Sequence, residues 1–267
     1  MSRHALPCAA LVLSLASLGG CGQSDRVEIA NNDGAGLVAA LRLANERPGP
    51  DTIVLARNGF YILSQEAQEG LLLPSLKGEL TIVGNHAEIR GYMATPAALL
   101  QVEEGAEVRI ENLVLAEGTD GALRNFGDLH LANVDLVDSS VRRLPAIVLN
   151  HGSLTATGGE IAYNHVLGVR RDAGTVLNYG QMRLEQTHIH DNRTLGRHPT
   201  LAAAGGILNF GSVEADGLTL QDNELPDEPV PALSFGGILN LGNGRFSGTN
   251  SSGPVRDARH ATAFAGL

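Results

Sequence analysis

Six arginines and a histidine stand where the chain is least regular, in pairings suited to holding anions. Arg142 and Arg143 occupy residues 140–145, Arg170 and Arg171 occupy 165–173, and Arg193, Arg197 and His198 occupy 193–204. A guanidinium presents parallel N–H donors that match carboxylate or sulfate oxygens two at a time, which the point charge of lysine does not. If these three segments lie side by side, they form one basic wall in a chain whose formal charge is −10. The next segment, 224–235, carries Asp227, Glu228 and three prolines, and it ends the wall.

Two histidine arrangements also invite chemistry. His188 and His190 alternate with Ile189 beside Asp191, so both rings should leave the same face of a strand, where a transition metal could bind. The matching positions of neighbouring repeats hold Asp135 with Val137, Glu160 with Ala162 and Thr219 with Gln221, so no ligand set recurs. A solvated pair without metal is expected. His151 lies in Asn150-His151-Gly152, and the same place is taken elsewhere by Phe126, Tyr179, Phe210 and Leu241. It reads as a stacking residue, and no catalytic residue, metal or cofactor is assigned. Facing outward, this ring column would stack sugars; facing inward or under a loop, it is packing, the preferred reading.

The element that positions these groups is a repeat. Asn-x-Gly occurs at Asn125, Asn150, Asn178, Asn209 and Asn240, with spacings of 25, 28, 31 and 31 residues. A unit this short cannot bury its own apolar face, so copies must stack as a solenoid. Aligned on the Asn, one inward column is Leu123, Val148, Val176, Ile207 and Ile238; another is Leu129, Leu154, Met182 and Val213. A third column runs through Leu136, Ile161, Ile189 and Leu220, followed by Ser139, Asn164, Asn192 and Asn223. Three short strands per coil result, with every insertion at one corner, the corner that carries the arginines. Asn125, Asn150, Asn178, Asn209 and Asn240 are expected to form a buried ladder, because a stacked amide can donate and accept along the column. Asn164, Asn192 and Asn223 make a second one.

Ahead of the repeat, Asp33-Gly34-Ala35-Gly36 opens an amphipathic helix at about 35–46, with Leu37, Ala40, Leu41 and Ala44 on one face. It should cap the first coil's exposed core. Arg3, the apolar run Ala9 to Leu18 and the small residues before Cys21 read as a secretory signal too short to span a bilayer. Residues 1–20 are thus a signal peptide, 21–30 a tether, 31–250 the β-helix and 251–267 a C-terminal tail. An acidic chain is a poor match for nucleic acid. A monomer is expected.

Leu18-Gly19-Gly20-Cys21 resembles the lipobox of bacterial lipoproteins, which implies a lipid on Cys21, a membrane partner and an outer-membrane location, since Gly22 rather than Asp follows. Cys8 leaves with the signal, so no disulfide remains. Further stretches carry a family resemblance: Asn31-Asn32-Asp33-Gly34-Ala35-Gly36-Leu37, Leu43-Ala44-Asn45, Gly49-Pro50-Asp51-Thr52-Ile53, Leu80-Thr81-Ile82-Val83-Gly84-Asn85, and Gly-Gly-Ile-Leu-Asn-x-Gly at 205–211 and 236–242. The chain resembles bacterial exported right-handed parallel β-helix proteins of the pectin-lyase-like superfamily, which include polymorphic outer-membrane and adhesin-like proteins. The calcium-binding acidic cluster, paired Asp with Gly-His-Gly, and Asp-Pro-His-Glu motifs of that superfamily's enzymes are not intact here. The expectation is an all-β, envelope-anchored, non-catalytic recognition or structural module that grips acidic polysaccharide. The alternative is a polysaccharide lyase or glycoside hydrolase using Arg170, Arg171 or Arg193 with His190.

Overall fold

The computed structural model describes residues 25–92, 94–167, 172–194, 202–225, 233–251 and 255–257. The chain winds into a parallel β-solenoid of about seven turns. Each coil begins on a long sheet whose successive rungs include Glu79–Gly91, Glu107–Ala116, Asp128–Val137, Ser153–Thr157, Gln181–Glu185 and Ser212–Asp216. The same sheet bends to carry a second row of rungs, Glu160–Ala162, His188–His190 and Thr219–Gln221. A second sheet stacks Leu100–Val102, Leu123–Asn125, Ala146–Asn150, Ala173–Asn178, Ala202–Asn209 and Ile238–Asn240. A small third sheet of Ser140–Val141, His165–Val166 and Arg193–Thr194 sits at the corner between them.

The sharp bend in the long sheet has a sequence cause. In Asp128–Val137, Leu129 and Leu131 point inward, yet so do Val134 and Leu136, one residue out of alternation. Asn133 absorbs the slip with a left-handed φ of 52°. The register stacks it with Asn112, Gly158, Gln186, Gly217 and Gly248, all with φ between 50° and 66°. At this bend a left-handed residue in each of these coils turns the chain while keeping both neighbouring segments facing the core.

The capping helix runs Gly34–Glu46, with Asp33 as its N-cap accepting from the Gly36 amide at 2.8 Å. Leu37, Ala40, Leu41 and Ala44 are buried and join Ile53, Leu55 and Tyr61 in the main core. The strand Asp25–Ile29 pairs in parallel with Pro50–Leu55, so the solenoid begins inside the stretch expected as a tether. Val27 and Ile29 supply the inward alternation that lets it pair. At the other end Val255–Asp257 pairs with Ile238–Asn240, carrying the coil into the expected tail. No helix among the described residues is long and apolar enough to cross a membrane.

Both polar columns run through the interior. Asn125 Nδ2 donates to Asn150 Oδ1 at 2.8 Å, Asn150 to Asn178, Asn178 to Asn209 and Asn209 to Asn240, each of the last three at 2.6 Å. The same Nδ2 atoms donate to backbone carbonyls of the next coil, at Ser153, Gln181, Ser212 and Asn243. In the second column Asn164 Nδ2 donates to Asn192 Oδ1 at 3.0 Å and Asn192 Nδ2 to Asn223 Oδ1 at 2.8 Å, while the Ser139 amide donates to Asn164 Oδ1. These amides give carbonyls along the coil corners a hydrogen-bond partner.

Candidate functional site

The corner that collects the insertions is built around a buried carboxylate. Gly121, at φ 100°, lets the chain turn from the long sheet into Leu123–Asn125, and its amide donates to the Ser140 carbonyl at 3.0 Å. The residue before it, Asp120, is drawn inward and is 5 % exposed. Its Oδ2 lies 3.6 Å from Arg124 Nη2 and 3.8 Å from Arg143 Nε. Asp120 Oδ1 and Arg124 Nε, both buried, find no hydrogen-bond partner. Arg143 reaches back across coils to donate to the Pro96 carbonyl at 3.2 Å. Burial is the main influence on Arg124 and lowers its pKa, Asp120 opposes that effect, and Arg143 adds to it. The guanidinium keeps its charge all the same. Two guanidiniums thus share one carboxylate. Arg142 beside them is exposed and has no ion pair or hydrogen bond among the described residues.

Most other described arginines are neutralised on flat faces. Arg183 meets Glu185 and Glu214, each at 2.6 Å, Arg90 meets Glu88 and Glu117, and Arg109 meets Glu111. Arg193, expected in the basic wall, donates from Nε to Glu224 Oε2 at 2.7 Å. Arg170, Arg171, Arg197 and His198 lie outside the described residues, as does Cys21. The described part of the wall is therefore Arg142 and Arg143, reinforced by Arg124, which the repeat pattern had not marked. Its signal was available: register places Arg124 between Gln101 and Leu149, at the head of a run that continues through the buried Leu177, Leu208 and Leu239. A charge at the head of a leucine column needs a partner, and Asp120, four residues earlier, is that partner.

The aromatic column faces outward, against the packing orientation preferred from sequence. Phe126 and Tyr179 are 37 % and 43 % exposed. The rings nevertheless stack on each other, with centroids 5.4 Å apart for Phe126 and His151, 4.9 Å for His151 and Tyr179, and 5.2 Å for Tyr179 and Phe210. Near-parallel rings spend their faces on their neighbours and show edges to solvent. A sugar needs a free face, so the column works mainly as surface packing.

His190 is held between two carboxylates, Nδ1 to Asp191 Oδ2 at 2.8 Å and Nε2 to Glu160 Oε2 at 3.2 Å, with the Tyr163 ring edge-on at 5.6 Å. Among the described residues no group of three or more His, Cys, Asp or Glu could hold a metal. Burial would lower the His190 pKa, but its hydrogen bonds to Asp191 and Glu160 and their charges win, so it rises above the ordinary 6.5. A raised folded pKa stabilises the fold fully below the unfolded value, and that contribution fades as pH rises through the folded one. The wild-type melting temperature should therefore fall between slightly acid and slightly alkaline pH by more than that of His190→Gln. Parallel melting curves across that window would remove the charged imidazolium from the account.

In comparisons with protein-family models, with curated proteins and with solved structures, this chain matches none. Function must be argued from the corner itself.

Proposed function

We propose that this chain is an exported, lipid-anchored β-helix module, non-catalytic, that recognises acidic polysaccharide at its loop corner. The observation that carries the reading is the arginine group at Asp120: two guanidiniums on one buried carboxylate, with Arg142 and Arg143 exposed side by side. Asp120 is inaccessible to a ligand, so its part is to hold Arg124 and Arg143 in place. Arg142 and Arg143 then meet carboxylate or sulfate groups of a chain laid across the corner. The resemblance to pectin-lyase-like exported proteins agrees with a polymeric sugar, because a straight solenoid offers an extended surface to an extended ligand. The catalytic alternative has less support. Both ring nitrogens of His190 are occupied by carboxylates, and Arg193 is engaged by Glu224.

Each exposed guanidinium pair contributes only about 0.2–1 kcal/mol, so retention needs several together. Replacing Arg142, Arg143, Arg170 and Arg171 by Ser should abolish retention on alginate, polygalacturonate or heparin columns while circular dichroism stays unchanged. Arg183→Ser should retain like wild type, since Glu185 and Glu214 already occupy that side chain. Salt should elute the wild type as the screening length falls from about 10 Å at 0.1 M to about 3 Å at 1 M. Wild type passing straight through all three columns at low salt would end the proposal. Depolymerisation with new ultraviolet-absorbing unsaturated ends would assign a lyase instead.

A further inference from the structure

Seven large hydrophobic side chains are exposed among the described residues, and four of them, Leu43, Phe60, Ile62 and Tyr92, belong to the capping helix and the first coils of the solenoid. Phe60 and Ile62 project from Phe60–Leu63, the edge strand of the long sheet's second row, and are 37 % and 46 % exposed. Tyr92, on the next coil, is 74 % exposed, and its amide donates to the Leu63 carbonyl at 2.8 Å. The capping helix adjoins this edge: Gly34 at its start lies against the Ile62 carbonyl, and Asn31 accepts from the Phe60 amide at 2.8 Å. On the helix's outer side Ala35, Ala39 and Leu43 are exposed. Glu88 and Arg90 stand in register beside Phe60 and Ile62, with the Arg90 guanidinium 5.8 Å over the Phe60 ring, and apolar side chains rimmed by charge mark a contact surface.

The length of the tether says what covers it. Cys21 precedes Asp25, the first residue of the edge strand Asp25–Ile29, by four chain steps. Even fully extended, four steps reach about 14 Å. An acylated Cys21 sits at the lipid surface, so the N-terminal edge cannot stand off from the bilayer. We propose that this end is a membrane-docking surface, with Phe60, Ile62 and Tyr92 entering the headgroup region of the bilayer that holds Cys21. Amphipathic surfaces seat about 5–10 Å deep at such a boundary, and Tyr and Phe are well suited to it. The inference rests on the lipid anchor in the functional reading, and it is independent of the glycan.

The chain has no Trp, so Tyr92→Trp installs a single reporter at a site open enough to accept it. The full chain is expressed in a bacterial host, its acyl mass is checked by mass spectrometry, and it is reconstituted into phosphatidylethanolamine–phosphatidylglycerol vesicles. Indole emission from the Tyr92→Trp chain should shift to the blue and be quenched by brominated lipid, while a Tyr179→Trp reporter several coils away is not quenched. Adding Phe60→Ser and Ile62→Ser to Tyr92→Trp should abolish that quenching without releasing the protein. An acylated, vesicle-bound Tyr92→Trp chain whose indole is not quenched overturns the docking surface and leaves the anchor standing. A chain without acyl mass overturns both. Concentration-dependent blue emission before vesicles are added would mean that a second copy covers the patch, which also overturns the proposal.

Discussion

Gly211→Ala is expected to lower stability by more than about 4 kcal/mol, the range reserved for changes that the backbone cannot absorb. A Cβ at Gly211 would fall inside 3.0 Å of the Gly180 carbonyl oxygen and 2.6 Å from the Tyr179 carbonyl carbon. Both are backbone atoms of the coil above, so no side chain can swing away. The corner nests that tightly because the Phe210 and Gly211 amides both donate to the Asn178 carbonyl, at 2.8 and 3.1 Å. At about 2–4 °C per kcal/mol for a chain of this size, the melting temperature should drop by at least about 8 °C. Gly105→Ala is the contrast: its φ is 78° but nothing lies within 4 Å, so only conformational strain of about 1–2 kcal/mol applies. Equal shifts for the two variants, measured by calorimetry, would mean that coil nesting is not what the Asn-x-Gly glycines protect.

Asn178→Leu should cost about 3 kcal/mol, or about 6–12 °C in melting temperature. Its Nδ2 serves the Asn209 side chain and the Ser212 and Gly180 carbonyls, and its Oδ1 accepts from Asn150. Leucine has a similar volume but leaves these groups without a partner in a site 0 % exposed. Stability in a solenoid is the sum of coils and the contacts between neighbours, so the loss should appear first as weakened coupling between the coils at Asn150 and Asn209. Hydrogen exchange should therefore quicken in Ala146–Asn150 and Ala202–Asn209 before it does in Pro50–Leu55. An unchanged melting temperature and uniform exchange would show that the ladder adds nothing to stability.

The regular part of this molecule was legible in one dimension. Asn125, Asn150, Asn178, Asn209 and Asn240 recur in the sequence, and the structure pairs them residue for residue. Leu129, Leu154, Met182 and Val213 likewise stack in register along the long sheet. Such columns are readable because the side-chain period of a strand and the coil length are both local quantities. The ends were harder. Asp25–Ile29 and Val255–Asp257 lack an Asn-x-Gly copy, and each joins the sheet only because a neighbouring coil offers it an edge.

The candidate site belongs to the other category. Nothing along the chain says that Arg193 will find Glu224 or that Arg143 will cross to Pro96. Those partners are 31 and 47 residues apart and meet through the lateral stacking of coils whose corner loops differ in length. The direction of the ring column had the same dependence, since Asn-x-Gly fixes a turn but not what covers it. By itself the sequence determined the solenoid and its buried ladders, because these follow from periods repeated coil after coil. Which charges pair, which stay open and which rings see solvent were decided by the tertiary structure, because those outcomes depend on distances between coils that no local pattern encodes.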